Sequence, residues 1–329
     1  MTATVHTVRG YAGLVSVAAQ TLGFVPEQSL VMVCLTDSSR LGPIGRVDLP
    51  EHSRDDKAFA AAVGDMVAVA EQHAAAVVLM LFTAAPLQRT TLADSVAQRF
   101  AGRIYPMVGL LWVNGSRVGN YRDPAAGTWT WNPDRDLPDT LRATSNRRIL
   151  PDRRAVADTI KHTRAVPDHS FRDAAATASR LTSDDRIAHA RDLFGQGVGA
   201  ARHGARLSAE DAAELAVLLG HTEVTDDLIP AALSTAAAGA DEQAATVNAL
   251  VILTADTPDQ WAFGPALLLA IVAYVAGDGA LANVAVDRVL RCAVPNSPAH
   301  RIAALLVASI SAGIHPAALR SALTEGELP

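Results

Sequence analysis

The sequence predicts an α/β domain over residues 1–140, with a mostly parallel or mixed sheet and flanking helices, and a mainly α-helical domain with helical hairpins over 141–329. Two continuous apolar runs, SLVMVCL at 29–35 and AVVLMLF at 76–82, are typical of strands that are buried on both faces. No strand pattern recurs after about Leu137, where helix start and stop signals take over.

Helix and strand signals alternate along the first domain. Gly23 ends the first helical pattern, since glycine takes the left-handed conformation without steric cost. Asn114-Gly115 favours a tight hairpin, because both residue types tolerate positive φ. In chain order, the expected elements are a helix at 11–22, strands at 29–35 and before Pro50, a helix at 55–73, a strand at 76–82, a helix at 92–100, and hairpin strands at 105–113 and 117–121.

The second domain is expected to contain seven to nine helices, including hairpins formed by its last helical segments. Ser208 with Asp211, and Thr257 with Gln260, have the spacing of capping boxes. We interpret the GQGVG segment at 195–199 as a helix break. Prolines 258, 298 and 316 suit first helical positions, and plausible helix ends stand at Gly220, Gly239, Gly277 and Gly313.

Composition narrows the class of protein. With 50% apolar and 19% charged residues in 329, the chain can bury a sizeable core. Cys34 and Cys292 are its only cysteines, so the sequence does not predict a set of stabilising disulfides. This low cysteine content favours a protein of the reducing cytoplasm. The longest apolar stretch, Leu267–Ala276, is too short to span a membrane, so no membrane partner is expected.

Charge is distributed unevenly along the chain. Residues 142–206 hold 13 basic and 7 acidic groups, whereas 207–329 hold 4 and 14. Such an asymmetry indicates either separate partners for the two segments or docking of one on the other.

No cofactor or metal is expected from the sequence motifs. There is no G-x-x-x-x-G-K-[ST], no G-x-G-x-x-G between a strand and a helix, and no G-x-S-x-G. The ten histidines form no H-x-x-x-H pair that could ligate zinc.

The carboxylates after the first predicted strands are weak catalytic candidates. Asp37 follows one strand, and Asp48 and Glu51 cluster with Arg46 and His52 around the next. Ligands of open α/β sheets bind beyond the carboxyl ends of strands, where carboxylates can hold a divalent cation. The favoured alternative is structural, with Asp37 in a turn and with Arg46 and Asp48 as outward side chains of an edge strand.

The tryptophans form a second candidate group. Trp129 and Trp131 share a face if their segment is extended, and Trp112 and Tyr121 lie within twenty positions of them. This group can stack on a base or anchor a protein partner. A small satellite core that closes the hairpin loop is the favoured alternative.

The arginine-rich middle of the chain is the third candidate. Guanidinium groups suit phosphate or carboxylate recognition. Because the adjacent segment is strongly acidic, we rate pairing with acids of the same chain, or of a second copy, above nucleic-acid binding, and a pI near 5.9 points the same way. The residues concerned are Arg142, Arg147, Arg148, Arg153, Arg154 and Arg164.

Three segments together resemble one family. They are Leu22-Gly23-Phe24 continuing through Pro26 to Val31, then Arg46-Val47-Asp48-Leu49-Pro50, and Gly277-Asp278-Gly279-Ala280-Leu281-Ala282. In order and spacing they are similar to the family called domain of unknown function 4192, over about residues 10–320. The resemblance implies an origin in actinobacteria or their phages and implies no activity. Where members often carry cysteines after the hairpin, this chain has Tyr121-Arg122-Asp123-Pro124.

The sequence therefore predicts a cytoplasmic, non-enzymatic protein-interaction module, whose partner is another protein or a second copy of the chain. The alternative is a metal-dependent or phosphate-directed enzyme at Asp37, Asp48 and Glu51. A weaker alternative is nucleic-acid binding through the arginine-rich middle.

Overall fold

A computed structural model describes residues 10–37, 40–50, 57–136, 149–163, 165–312 and 314–325. The chain divides into two compact units, with the main division between Arg153 and Arg154 and with Ser311–Gly313 assigned to the first unit. The boundary predicted near residue 140 falls within 137–148, which lies outside the described residues.

The first unit contains a six-stranded mixed sheet, which confirms the predicted α/β class. The strand order is β2-β1-β3-β4-β5-β6, and only β3 and β4 are parallel. The strands are β1 (Ser29–Leu35), β2 (Leu41–Asp48), β3 (Ala76–Phe82), β4 (Met107–Asn114), β5 (Arg117–Asn120) and β6 (Thr128–Thr130).

Helices cover both faces of this sheet. The core on one face joins β1, β3 and β4 to α2 (Lys57–His73) and α3 (Thr90–Phe100), and the core on the other face includes α1 (Gly10–Leu22). A short α4 (Pro133–Asp136) follows β6, and 3₁₀ turns occupy Pro86–Arg89 and Pro124–Ala126.

The two continuous apolar runs form the interior strands β1 and β3, as predicted. Leu30 and Met32 of β1 contribute to the core under α2 and α3, while Val31 and Val33 contribute to the core under α1. Both faces of β1 are therefore dry, which explains why its sequence does not alternate with polar residues.

The Asn114-Gly115 hairpin is also confirmed, with a shift of one residue in the turn. Asn114 pairs with Arg117 as the last strand residue, so Gly115 and Ser116 are the central turn residues. Gly115 has φ +55°, which is the positive φ that a type II′ turn needs at its first central position.

The second unit is helical throughout its described residues, and no helix among them has the length and apolar character of a membrane span. A 3₁₀ turn at Asp259–Trp261 lies between two of its helices. The helices are α5 (Arg153–Thr159), α6 (Asp168–Ala178), α7 (Ser183–Arg202), α8 (Ala209–Leu218), α9 (Thr222–Ala237), α10 (Ala240–Asp256), α11 (Phe263–Val275), α12 (Gly279–Cys292), α13 (Pro298–Ser311) and α14 (Pro316–Glu325).

The described part of this unit contains ten α-helices instead of the seven to nine expected, and Pro298 and Pro316 begin helices as predicted. Of three further local expectations, two are wrong and one is confirmed. The Thr257 hydroxyl donates to the Leu253 carbonyl at 2.6 Å instead of capping a helix. The GQGVG segment continues within α7, where Gly197 lies close to Leu207 of the following loop. The capping box at Ser208 is present, with the Asp211 amide donating to the Ser208 hydroxyl at 3.1 Å.

Gly119 of β5 allows the indole ring of Trp112 to lie directly on the backbone. A Cβ atom at Gly119 would stand 2.3 Å from ring atoms of Trp112, so Gly119→Ala is expected to cost about 1–3 kcal/mol of unfolding free energy. The matched control is Gly64→Ala in α2, where a Cβ meets nothing within 4 Å. It is expected to stabilise by roughly 0.5–1 kcal/mol, because alanine is the better helix former. Urea denaturation measures both, and equal effects would contradict this account.

Candidate functional site

The structure does not bring together the carboxylates predicted to bind a cation. Strands β1 and β2 are antiparallel, and Asp48 pairs with Ser29 at the start of β1, whereas Asp37 follows the end of β1. At about 3.3 Å per residue, the six steps of β1 span roughly 20 Å, and Asp37 and Asp48 lie at opposite ends of that span. Glu51 and His52 lie outside the described residues. In the described part of the chain, no three His, Cys, Asp or Glu side chains are grouped to hold a metal ion.

Asp48 has a structural partner. It forms an ion pair with Arg46 on the same face of β2, and the Arg46 guanidinium lies over the Phe24 ring, 5.6 Å from its centroid. β2 is an edge strand, so this pair is the one that the structural alternative predicted.

The tryptophan group lies in and around the core of the first unit. Trp131 is buried and donates from Nε1 to the Gly115 carbonyl at 2.6 Å. Trp129 is half-buried and meets the ring of Tyr11 edge to face, with centroids 5.5 Å apart. This placement favours the satellite core over a stacking platform, since the Trp131 donor is already used.

Most of the predicted arginine site lies outside the described residues, which include neither Arg142, Arg147, Arg148 nor Arg164. Arg153 and Arg154 begin α5 with exposed side chains. Their role in binding stays a prediction.

The basic residues of α7 and the loop after it pair with acids of the next three helices. The Arg186 guanidinium donates to Glu223 at 2.5 Å, and it also donates to the Leu181 carbonyl at 2.8 Å. The charge split seen in the sequence thus corresponds, for these residues, to one segment docked on the other. The further pairs are Arg191 with Asp227, Arg202 with Glu242, His189 with Glu214, and Arg206 with Asp256, at N···O distances of 2.5, 2.6, 2.7 and 3.3 Å.

Sequence reasoning missed the most buried charge of the second unit. The side chain of Arg288 in α12 is 2% exposed. Its Nη1 donates to the carbonyls of Ile160 and Thr254, and its Nη2 donates to the Thr257 carbonyl at 2.7 Å and to Asp259 at 3.1 Å. Its position, seven residues after the buried Leu281, is the signal that could have found it, because that spacing places it on the apolar face of α12.

Two of the carbonyls that accept hydrogen bonds from Arg288 belong to helix ends. Thr254 is in the last turn of α10, and Ile160 directly follows α5. Carbonyls at helix C-termini lack partners within the helix and carry partial negative charge. A buried guanidinium there donates the missing hydrogen bonds and also balances the partial charge. This arrangement is that of a structural anchor.

A second buried charge lies beside a narrow crevice. The Asp256 side chain is 5% exposed, accepts from the Thr163 hydroxyl at 2.8 Å and pairs with Arg206. The crevice has a volume of about 20 Å³, which is the space of one water molecule and too small for a metabolite. Its apolar walls come from α7, the loop after it, α8 and α10, and include Phe194, Leu207, Leu215, Leu250 and Leu253.

Neither cysteine has the environment of a nucleophile. Burial raises the pKa of the Cys34 thiol to about 11, and burial also raises the pKa of Cys292, even though Arg288 lies near it. Thiolate chemistry needs a lowered pKa.

Exposed apolar side chains concentrate near the end of the second unit. Val294 is 72% exposed, Leu305 of α13 is 65% exposed, and Val307 and Ile314 are also exposed. These four are half of the large exposed apolar residues in the described chain. Arg291 and Arg301 are exposed beside them in sequence and form no ion pair within the described residues. These six residues lie within 24 positions of one another in the sequence, between Arg291 and Ile314, and we call them the terminal surface.

Together these features define a two-unit protein, in which a mixed sheet covered by helices is followed by an all-helical unit, with no convergent reactive group among the described residues. The chain belongs to the family described as "Domain of unknown function (DUF4192)", whose model matches residues 12–317. Comparison with curated proteins and with solved structures finds no match.

The segments that carry the family resemblance have structural roles here. Gly23 and Gly277 take φ of +77° and +82° at the ends of α1 and α11, where a left-handed residue is needed. The Asp278 carboxylate caps α12 by accepting from the Leu281 amide at 2.9 Å.

The buried guanidinium is expected to dominate the stability of the second unit. Arg288→Met removes its four hydrogen bonds and leaves buried carbonyls unpaired, so the free energy of unfolding should fall by about 3 kcal/mol or more. Arg291→Met, three residues later on the exposed side of the same helix, should change it by less than about 0.5 kcal/mol. Urea denaturation followed by circular dichroism separates the two, and a loss below 1 kcal/mol for Arg288→Met would argue against the anchor.

The Arg186–Glu223 pair is expected to make the folding stability depend on pH in the acidic range. The hydrogen bond from Arg186 lowers the pKa of Glu223 below its ordinary value of 4.5, so the pair stabilises the fold above that pH and less as the pH falls through the lowered pKa. In Glu223→Gln, the melting temperature should therefore fall less between pH 5 and 3 than in the wild type. Glu210→Gln, an exposed glutamate at the start of α8, is the control. Parallel pH curves for all three proteins would contradict this prediction.

Proposed function

We propose that the chain is a non-enzymatic, cytoplasmic protein-interaction module, and that the terminal surface receives an amphipathic helix with acidic residues beside its apolar stripe. The observation that carries the proposal is the exposure of Leu305 and Val294. An exposed apolar cluster rimmed by polar groups is a feature of interaction surfaces, whereas scattered single residues are not.

Charge supports the choice of partner. Residues 207–287 contain no lysine or arginine, and all four arginines of 207–329 lie at 288–320. Arg288 is buried and Arg320 is half-buried, whereas Arg291 and Arg301 are exposed and are close in sequence to the exposed apolar residues. An acidic partner would pair with them, and small residues on α13, Ala304 and Ala308, would let a second helix approach closely.

Other features of the described residues support a role without catalysis. Asp37 and Asp48 lie at opposite ends of their strands, so these two carboxylates do not share a cation. The two free cysteines favour a reducing compartment.

Binding of designed peptides tests this proposal. The probe is a labelled helical peptide of about 20 residues with a leucine stripe flanked by glutamates, and its counterpart carries lysines instead. We expect the acidic peptide to bind more tightly, and Leu305→Glu to weaken it at least tenfold by placing a carboxylate within the contact. Leu87→Glu, at an 88% exposed leucine of the first unit, is the matched control and should bind like the wild type.

Fluorescence anisotropy at low and moderate salt gives the affinities. Equal binding of the acidic and basic peptides, or unchanged binding by Leu305→Glu, would overturn the proposal.

A further inference from the structure

The outer edge of β2 has no strand partner in the part of the chain that the structure describes. Among the described residues, β2 bonds only to β1, and the opposite edge of the sheet is the three-residue strand β6. Strand edges with free backbone groups are templates for another strand, and proteins block them with prolines, bulges or covering elements.

The backbone groups that face outward from β2 follow from one hydrogen bond. The Leu49 amide donates to the Gln28 carbonyl at 2.7 Å, so odd-numbered residues at this end of β2 bond to β1. The amides and carbonyls of Ile44, Arg46 and Asp48 therefore point away from the sheet, and the described residues provide no partner for them.

This edge of β2 is blocked at one end, and the rest of it is open among the described residues. Gly42 and Pro43 stand together opposite Cys34, in a bulge that ends regular pairing before Ile44. The part left open is the regular segment from Ile44 to Asp48, all of whose residues are at least partly exposed.

We propose that this edge pairs with the same edge of a second copy, antiparallel and with Arg46 opposite Asp48 of the other copy. In this register the outward amides and carbonyls of both residues form four hydrogen bonds across a two-fold axis at Val47. Each arginine then faces an aspartate directly across the strand pair, which stabilises the pairing.

Charge selects this register over its neighbour. A shift that also pairs outward-facing residues would place Arg46 opposite Arg46 of the other copy, and like charges directly opposite are destabilising. Asp48 already pairs with Arg46 of its own strand, but its side chain is 69% exposed. Its carboxylate can therefore also accept from Arg46 of the other copy.

This inference goes beyond the proposed function, because it concerns a second copy of this chain and a different surface. A pairing over five residues buries little area, so it belongs to the weak class of interfaces below about 1,200 Å². We expect a dimer at protein concentrations of roughly 100 µM and a monomer well below them, as for other complexes of this size.

Sedimentation equilibrium of the full chain measures the mass, which should rise from 34.4 kDa towards twice that value. Asp48→Arg should remain monomeric at all concentrations, since it places arginines opposite one another. Arg46→Asp should do the same with aspartates. Mixing the two variants restores both opposite-charge pairs and should restore the dimer, whereas Leu305→Glu should dimerise like the wild type.

Hydrogen exchange tests the register. With rising concentration, the amides of Arg46 and Asp48 should become protected, while that of Val47, already bonded to β1, should not change. Circular dichroism melts show whether each variant folds, and the exchange experiment on the wild type does not depend on them. A wild-type monomer at all concentrations, a dimer without protection at these two amides, or mixed variants that stay monomeric would overturn the proposal.

Discussion

The helical unit depends on one buried cation. A guanidinium in a nearly dry interior is costly unless its donors are met, and Arg288 meets three main-chain carbonyls and one carboxylate. Those carbonyls come from the end of α10, the residues after it and the residue after α5. One side chain of α12 therefore links the ends of two other helices, and it also bonds to Asp259 of the 3₁₀ turn.

The sheet of the first unit is organised by a different constraint. β1 and β3 carry apolar side chains on both faces, so each must lie between other strands and beneath two helical layers. β2 follows β1 by a tight connection and can only be antiparallel to it. This direction separates the carboxyl ends of the two strands, and with them Asp37 and Asp48, which removes the geometric basis for a cation site shared by these two residues.

Charge pairing connects the sequence composition to the structure of the second unit. The basic residues Arg186, His189, Arg191 and Arg202 of α7 pair with acidic residues of α8, α9 and α10, and most of these side chains are partly exposed. Such pairs contribute little stability individually, but they give the helices complementary faces. Two exposed arginines that form no ion pair among the described residues, Arg291 and Arg301, lie near exposed apolar side chains at the end of the unit. This combination of charge and exposed apolar area favours a partner at that place.

The sequence by itself determined the class of each unit and the order of the elements from α1 to β5, but not the short strand β6 or the number of helices in the second unit. Buried strands, amphipathic helices and the Gly115 turn depend on local periodicity and backbone preference, which are written in neighbouring residues. Other features depend on residues far apart in the chain. They are the directions of the strands, the hydrogen bond of Thr257 and the partners of Arg288, of which Ile160 is 128 positions away. Only the tertiary structure decided these, because a hydroxyl or guanidinium can satisfy its hydrogen bonds in many ways and the packing of distant segments selects one.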